Sequence, residues 1–353
     1  MNSTDPVITD SKTISRFVAE ALSVVGVDPQ VSAEVGEHLA HANLIGHDSH
    51  GVQQLPGYLR SVDMGRIRPN PQIRMLDDQR RAVARLDADG GPGQWAGRIA
   101  MQAAIDRASQ YGIGVCGVSN SNHFGMAGHF CRLAASHSMV SYATSDTNVV
   151  DLAPYGSLTP TVGNNPVAWG LPRPNGAPPV ILDMACGAVS GGKVKHYSYS
   201  GQSLPSGWAL DASGHATTDP DSVLVTASGG YKGSGMALIS DLLCGPMLGT
   251  AASMFKHKPT TDAANGTGHL FIAIDPEAFG PLDEFTSRVD EAVEAFRCAE
   301  PVDPAVPVMY PGELEAATEN DRRSNGIALP RSMMEALAQA AGVDLVKSCF
   351  VNW

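Results

Sequence analysis

The chain has 353 residues, 43% of them hydrophobic and 17% charged, which is typical of a globular protein with one large or two ordinary domains. Its net charge of −12 argues against a nucleic-acid or anionic-membrane partner, since either requires a basic face. Six scattered cysteines without a CxxC pair, and an N-terminus unlike a signal peptide, predict a cytoplasmic protein with reduced thiols and no zinc site.

Two helices are predicted at the N-terminus. Over residues 12–25 apolar side chains recur at helical spacing, and the pattern stops at Gly26. The second helix begins at Asp28 and Pro29, an N-cap followed by a proline at the first helical position, and continues to Gly46. A polar segment rich in histidine follows.

From about residue 80 onward, strand and helix patterns alternate. Strands are predicted at residues 82–88, 113–118, 139–145, 179–183 and 270–275. Helices are predicted at residues 97–110, 126–137, 234–248, 281–297 and 332–342. The apolar stretch 236–255 contains Asp241 and several turn residues, which fit a buried helix and its exit better than a membrane span. The alternation predicts an α/β fold with a largely buried sheet.

A glycine-rich turn after the first of these strands matches a dinucleotide fingerprint by letter, as Gly91-Pro92-Gly93 with Ala96. A Rossmann fold also requires a carboxylate about 20 residues later, and none is present there. Pro92 removes an N–H that a pyrophosphate would need. We interpret the segment as a turn and not as a Rossmann site.

The segment His47-Asp48-Ser49-His50-Gly51 is the first that suggests chemistry. Histidine is the usual proton donor or acceptor at neutral pH, and a neighbouring serine or aspartate can fix its tautomer. A polar turn whose histidines merely cap the preceding helix explains the segment equally well.

A second polar segment, residues 120–125, directly follows a predicted strand and contains His123. Strand ends that lead into a helix are where α/β folds place ligands. Asp146 and Asn148 end the next strand, so we expect the two strand ends to line one cleft. Turn preferences explain the asparagines, serine and glycine of this segment, but not His123.

Two further segments can hold anions or hydroxyls. Residues 229–235 combine glycines with Lys232 at the start of an apolar helix, which suits an anion, although such a loop can simply allow close helix packing. Asp183 ends a strand and can accept ribose hydroxyls, while Lys193 can offer a cation to a carboxylate or carbonyl.

The order of these segments resembles the malate/L-lactate dehydrogenase family, which does not use the Rossmann fold. That family includes ureidoglycolate, sulfolactate and diketogulonate dehydrogenases or reductases, and cyclic imine reductases acting on piperideine carboxylate. The resemblance covers nearly the whole chain through HDSHGV, SNHFGMAGHF, VGNNPVAWGLP, ILDMA, GYKGSGMALISDLL, YPGE and RRSNGI.

The resemblance implies an α/β fold in which a mixed-sheet NAD(P)-binding domain accompanies a helical domain built from both chain ends. We expect the N-terminal helical part with the SHG motif over residues 1–78 and the cofactor-binding domain over residues 79–308. Residues 309–353 are expected to return to the N-terminal helices. The family also implies a homodimer.

The implied activity is reversible hydride transfer between NAD or NADP and a 2-keto or 2-hydroxy acid, or alternatively the reduction of a cyclic imine such as a piperideine or pyrroline carboxylate. His50 resembles the proton donor or acceptor, with Ser49 beside it, whereas some members assign that role to the equivalent of His123. No metal is expected. The residues that resemble cofactor contacts are Thr147, Asp183, Met184, Ala185, Tyr231, Lys232, Pro311, Gly312 and Glu313.

The substrate end departs from the family pattern. The arginine that commonly follows the SHG histidine by four positions, and holds a substrate carboxylate, is Gln54 here. Glutamine cannot form the bidentate ion pair, which weakens a simple malate or lactate assignment. We expect Gln54, Tyr58 and Lys193 to contact the substrate, with Lys193 or Arg60 as the compensating cation.

Two other classes of protein are considered. One is a non-catalytic ligand-binding protein that kept this fold after losing the substrate arginine, and the presence of both His50 and His123 argues against it. The other is a metal-dependent hydrolase built on His47, His50 and His123.

Overall fold

The computed structural model describes residues 6–76, 81–147, 149–189, 191–227, 229–256, 266–350 and 353. The helices in this part of the chain are α1 (Ser11–Val24), α2 (Pro29–Leu44), α3 (Leu55–Asp63), α4 (Gly93–Tyr111), α5 (Ala127–Ser136), α6 (Gly191–Ser200), α7 (Gly230–Cys244), α8 (Leu282–Arg297), α9 (Glu313–Asn325), α10 (Arg331–Ala341) and α11 (Val343–Cys349). The strands are β1 (Val7–Thr9), β2 (Arg74–Met75), β3 (Val83–Asp87), β4 (Ile113–Ser121), β5 (Val140–Ser145), β6 (Leu152–Ala153), β7 (Val167–Leu171), β8 (Val180–Met184), β9 (Ala209–Leu210), β10 (Ala216–Thr217), β11 (Val225–Ala227), β12 (Thr267–Ile274) and β13 (Ile327–Leu329).

The main sheet has seven strands in the order β2-β3-β4-β12-β5-β7-β8. Only β3 and β4 pair in parallel, and every other neighbouring pair is antiparallel. A Rossmann domain is built on a mostly parallel sheet, so the expected non-Rossmann, mixed-sheet α/β fold is confirmed. Helices α4 and α5 pack on this sheet around Phe130 and Phe271, whose ring centroids are 5.1 Å apart.

The glycine-rich turn at residues 91–96 serves close packing. A Cβ on Gly93 would lie 2.2 Å from the carbonyl oxygen of Asn122, so only glycine lets α4 start against this backbone. The segment therefore agrees with the interpretation as a turn. It also holds the chain just before His123 in place.

The helical part joins both ends of the chain. Strand β1 pairs antiparallel with β13, and Phe17 of α1 contacts the ring of Phe350 beyond α11. One apolar core contains side chains from α1, α2, α3, α10 and α11. The helical domain built from both chain ends is thus confirmed, while the boundaries at residues 78 and 308 stay predictions.

A small sheet in the order β10-β9-β11-β6 was not predicted from the sequence. Each of its strands has only two or three residues, too few for an alternating pattern to repeat. Strand β7 also escaped prediction, although it lies within the family-like motif VGNNPVAWGLP.

Helix α7 differs from the expectation of a buried helix. Leu238, Ile239 and Leu242 are 42%, 56% and 41% exposed, so one apolar face of the helix is open. The prediction is wrong because an apolar composition does not by itself bury every face of a helix. Among the described helices, none is both long enough and apolar enough to cross a bilayer.

Candidate active site

The segment that carries His50 forms a short 3-10 turn, Asp48–His50, after α2. Arg322 of α9 donates two hydrogen bonds to the Asp48 carboxylate, at 2.8 and 2.9 Å. Asn43 donates to the same carboxylate at 2.6 Å, and its own oxygen accepts from the backbone N–H of Val52. Asp48 therefore anchors the turn to α2 and α9, and its carboxylate is engaged by Arg322 and Asn43.

His50 and His123 come together although they are 73 positions apart in the chain. Their ring centroids are 5.8 Å apart and the ring planes differ by 23°. Burial, together with the nearby His123, lowers the pKa of His50 to about 3, and burial lowers that of His123 to about 4. Protein atoms crowd both imidazoles, yet the residue His123 keeps an exposed face. Both rings are neutral at neutral pH.

Each ring has a different partner at Nδ1. The Ser49 hydroxyl lies 3.0 Å from Nδ1 of His50, and the Tyr58 hydroxyl lies 2.7 Å from Nδ1 of His123. Gln94 donates to the Tyr58 hydroxyl at 2.8 Å and is 1% exposed. Sequence reasoning assigned Tyr58 to the substrate and missed Gln94, because the pairing of α3 with the start of α4 has no local signal.

Gln54 is held by the backbone beside His50. Its amide nitrogen donates to the carbonyl oxygen of Ser49 at 2.6 Å, and Gln53 donates to the same oxygen at 3.0 Å. The start of α6 lies against this point, since a Cβ on Gly192 would be 3.4 Å from that oxygen. The adjacent Lys193 is exposed, and its ammonium lies 5.3 Å from the ring centroid of Trp208.

A cavity of about 280 Å³ lies between the end of α2, the start of α5 and strand β8. It brings together three of the expected cofactor contacts, Asp183, Pro311 and Gly312. Asp183 accepts a hydrogen bond from the backbone N–H of Gly128 at 2.7 Å. Ile181 of β8 donates to the carbonyl oxygen of Pro311 at 2.9 Å, which closes the turn against the strand.

The cavity and the histidine pair share two chain segments, residues 45–50 and 123–128. In the first, Ile45 and His47 line the cavity and His50 belongs to the pair. In the second, His123 belongs to the pair and Met126 and Gly128 line the cavity. The two features are therefore neighbouring parts of one site.

The cavity wall carries titrating groups of both signs. His47 Nε2 lies 3.1 Å from Glu315. Burial opposes the charged form of His47, but the bond to Glu315 and the charge of Asp183 outweigh it and raise the His47 pKa. Burial raises the pKa of Asp183, although the Gly128 N–H partly offsets this.

Four further expected cofactor contacts, Met184, Ala185, Tyr231 and Lys232, lie at or near the end of β8. Met184 and Ala185 lead into Cys186, whose carbonyl oxygen accepts from the N–H of Gly229 at 3.1 Å. The start of α7 is thus attached directly after Ala185. Tyr231 and Lys232 are exposed on the first turn of that helix.

Thr147 and Glu313 have protein partners. The backbone oxygen of Thr147 accepts from the Ser253 hydroxyl at 2.6 Å. Glu313 pairs with Arg297 at 2.9 Å and also accepts from the N–H of Tyr310, so its charge is largely engaged.

Asp146 does not line a cleft, contrary to expectation. It is 2% exposed, and its carboxylate pairs with Lys256 at 2.6 Å and with the N–H of Gly268 at 2.8 Å. A buried, fully paired carboxylate ties the end of β5 to β12 and offers nothing to a ligand. Asn148 lies outside the described residues.

The described part of the chain groups no three His, Cys, Asp or Glu side chains closely enough for a metal ion. His47 faces Glu315, whereas His50 faces His123. The three histidines considered for a hydrolase therefore have separate partners.

Comparison with known proteins identifies the family. Residues 9–338 match the model of the malate/L-lactate dehydrogenase family. The chain is 31% identical over 336 residues to a malate dehydrogenase of Pyrococcus horikoshii, covering 92% of each chain. It is 32% identical over 330 residues to an L-sulfolactate dehydrogenase of Methanothermobacter thermautotrophicus, covering 91% of this chain and 93% of that one.

A solved structure agrees with the sequence relatives. The delta1-piperideine-2-carboxylate reductase of Pseudomonas syringae superposes with a TM-score of 0.82 at 26% identity, covering 94% of this chain and 99% of the other. The family match extends over most of the chain, including the histidine pair and the cavity. The chain therefore belongs to the malate/L-lactate dehydrogenase family of oxidoreductases.

Proposed function

We propose that this chain transfers hydride reversibly between NAD or NADP and a 2-keto or 2-hydroxy acid, or a related compound. The observation that carries the proposal is the stacked pair His50 and His123 beside the cavity at Asp183. A dehydrogenase needs a proton-transferring side chain next to a bound nicotinamide. Membership of a dehydrogenase family supports the same chemistry.

The cavity at Asp183 fits part of a dinucleotide. Its volume of about 280 Å³ is close to the roughly 300 Å³ at which small-molecule sites begin. One oxygen of Asp183 is bonded to Gly128, and within the described residues the other forms no hydrogen bond and can accept ribose hydroxyls. Pro311 and Gly312, which lie against β8 at Ile181, would also line the cofactor site, and Lys232 would offer its charge at the start of α7.

His50 is the proposed proton carrier. In the oxidation of a hydroxy acid, Nε2 of His50 accepts the hydroxyl proton while Ser49 holds Nδ1. Burial lowers the pKa of His50 to about 3, so the ring is neutral before the proton is transferred. In the reduction, His50 returns that proton to the carbonyl oxygen. When bound, the nicotinamide accepts or supplies the hydride.

The substrate end carries an amide where the family commonly has an arginine. Gln54 already donates to the Ser49 carbonyl, so it is placed beside His50. An amide suits a hydroxyl, amide or weakly held carboxylate better than a firmly bound one. Lys193 remains a proposed compensating cation, and its ammonium lies 5.3 Å from the ring centroid of Trp208.

Reduction of a cyclic imine is the second candidate. A relative with that activity in its name shares this fold over 94% of the chain. Protonation of the nitrogen of a C=N bond by His50 would replace protonation of a carbonyl oxygen, with the same hydride donor.

A homodimer in the cytoplasm is also proposed. Leu238, Ile239 and Leu242 form an exposed apolar face of α7, and Phe255, two residues after the Ser253 that bonds to Asp241 of α7, is also exposed. A second copy of the chain is the occupant that the family implies, and dimer interfaces are apolar. A cytoplasmic location is supported by six cysteines that form no disulfide.

The test combines cofactor binding with a substrate panel. Fluorescence titration with NADH and NADPH measures binding, and oxidation of either cofactor is followed with 2-keto acids and cyclic imines. Turnover of a 2-keto acid supports the first candidate, and turnover of an imine alone supports the second. Cofactor binding without turnover of any compound would favour the non-catalytic ligand-binding protein.

A further inference from the structure

A buried hydrogen-bond chain runs from Gln94 through Tyr58 to His123. Gln94 Nε2 donates to the Tyr58 hydroxyl over 2.8 Å, and that hydroxyl lies 2.7 Å from His123 Nδ1. Gln94 is 1% exposed and Tyr58 is 8% exposed, so solvent competes little for these bonds. We infer that this chain fixes the proton of His123 on Nε2, and that Gln94 is a positioning residue that acts on His123 through Tyr58.

The direction of the chain follows from its donors. An amide nitrogen only donates, so the bond from Gln94 occupies a lone pair of the Tyr58 oxygen. Among the described residues, Gln94 and His123 are the partners of that oxygen. The hydroxyl proton of Tyr58 therefore points at Nδ1 of His123, because a buried donor without an acceptor is strongly unfavourable.

His123 is then a neutral ring with its proton on Nε2. Burial lowers its pKa to about 4, so the ring carries one proton at neutral pH. Nδ1 accepts from Tyr58, which leaves Nε2 as the protonated atom. Within the described part of the chain Nε2 forms no hydrogen bond, and His123 is an exposed residue. This N–H is available to a substrate oxygen.

His50 can carry its proton on Nδ1, whereas His123 carries its proton on Nε2. Its partner there is the Ser49 hydroxyl at 3.0 Å, an oxygen that can accept from Nδ1–H. Nε2 of His50 is then unprotonated and can take a proton. In that arrangement the two stacked rings differ in which nitrogen carries the proton.

This difference gives His50 and His123 separate roles in the reaction, an inference that rests on the proposed function. In the oxidation, the substrate O–H proton moves to Nε2 of His50. The C–H hydrogen and its electron pair leave as hydride to the oxidised nicotinamide, and the C–O bond becomes C=O. His123 keeps its own proton and donates a hydrogen bond from Nε2 to the same oxygen in both directions. A neutral imidazole can polarise a carbonyl in this way.

The tautomer is measured by NMR on the full-length protein labelled with ¹⁵N-histidine, without cofactor or substrate. The His123 signals are identified by their loss in His123→Asn. In the unsubstituted protein we expect a protonated Nε2 and an unprotonated Nδ1. A proton found on Nδ1 overturns the inference.

Two substitutions test the chain itself. In Gln94→Glu the carboxylate only accepts, so Tyr58 must donate to it and His123 must donate from Nδ1, which moves the ring proton to Nδ1. In Tyr58→Phe only the hydroxyl is lost, and the two tautomers should become mixed. Gln102→Glu, on the same helix but bonded to Asp106, is the matched control and should leave the tautomer unchanged. A His123 tautomer unaltered in both Gln94→Glu and Tyr58→Phe overturns the inference.

Kinetics provide the second readout. Gln94→Glu should lower kcat by roughly a hundredfold to a thousandfold, the range for loss of a donor to a developing oxyanion. Tyr58→Phe should lower kcat less, because part of the His123 population keeps its proton on Nε2. Affinity for NADH or NADPH alone should stay unchanged, and an equal loss of cofactor affinity would contradict a role through His123. If no substrate is turned over while the tautomers behave as expected, the proposed function fails but the assignment of the proton stands.

Discussion

His50 and His123 have similar surroundings, but their Nδ1 atoms have different partners. Ser49 can accept from His50, whereas Tyr58 donates to His123. Burial alone would make the two rings equivalent, since it lowers both pKa values to about 3 and 4. Hydrogen bonding to the second nitrogen is what distinguishes a proton acceptor from a hydrogen-bond donor.

Replacement of the proposed proton carrier should damage turnover selectively. We expect His50→Ala to lower kcat by roughly 100- to 10,000-fold with little change in cofactor affinity, because only proton transfer is lost. Stopped-flow kinetics and NADH titration measure the two effects. His137→Ala, an exposed histidine at the end of α5, is the control. A small loss in His50→Ala with a large loss in His123→Ala would exchange the two roles.

Gln54 tests the nature of the substrate. If the substrate carries a carboxylate near residue 54, Gln54→Arg should lower the KM for pyruvate or oxaloacetate by about tenfold, because charged hydrogen bonds are worth about 1.5–3 kcal/mol against about 1 for neutral ones. If Gln54 is matched to an amide or hydroxyl, the arginine should instead harm the best native substrate. Gln53→Arg is the matched control, because the Gln53 side chain also donates to the carbonyl oxygen of Ser49. No change with any substrate would place residue 54 outside the site.

At the level of elements, the site is a junction of segments that are distant in sequence. The turn after α2 is bonded to α9 through Asp48 and Arg322, and the turn before α9 is bonded to β8 through Pro311 and Ile181. The start of α4 packs against the backbone that precedes His123. The positions of these segments in the site are therefore set by hydrogen bonds and close backbone contacts between residues that are far apart in sequence.

The His47 and Glu315 pair should make this junction sensitive to pH. The His47 pKa is raised in the folded state, so its contribution to stability is complete below the ordinary histidine pKa of about 6.5 and is lost as pH rises through the raised value. We expect His47→Gln to cost more unfolding free energy at pH 6 than at pH 9. Urea denaturation at both pH values measures this cost. An equal cost at both would show that the ion pair does not contribute.

The start of α7 is expected to take part in cofactor binding. Lys232→Ala should weaken NADH binding in a fluorescence titration, because a phosphate or hydroxyl loses its charged partner. Lys347→Ala, on α11 in the helical part, is the control. Unchanged affinity in Lys232→Ala would remove α7 from the cofactor site.

At the scale of the whole molecule, the exposed apolar face of α7 is the basis of the proposed homodimer. We expect light scattering coupled to size exclusion to give twice the 36.9 kDa chain mass, and Leu238→Glu with Leu242→Glu to give monomers. Val24 is also a strongly exposed apolar residue, but it lies on α1, so Val24→Glu should leave the dimer intact. A monomeric unsubstituted protein would contradict the proposal.

Much of the fold followed from local patterns. The predicted strand at 139–145 is β5, Val140–Ser145, and the predicted helix at 281–297 is α8, Leu282–Arg297. Periodicity reports which side of an element is apolar, so several long elements were found, whereas α9, which has no buried residue, β7 and the very short strands of the small sheet were not. Ordered motifs along the chain were sufficient to identify the family.

By itself, the sequence determined the α/β class, several long elements, the family and the two histidine segments, because each depends on residues that are near one another in the chain. Tertiary structure decided that Asp48 anchors a turn, that Asp146 is buried with Lys256, and that Asp183 meets Pro311 and Gly312 in one cavity. It also brought Gln94 and Tyr58 to His123. These outcomes depend on which polar atoms become buried together, and a buried donor or acceptor takes whichever partner the packing provides.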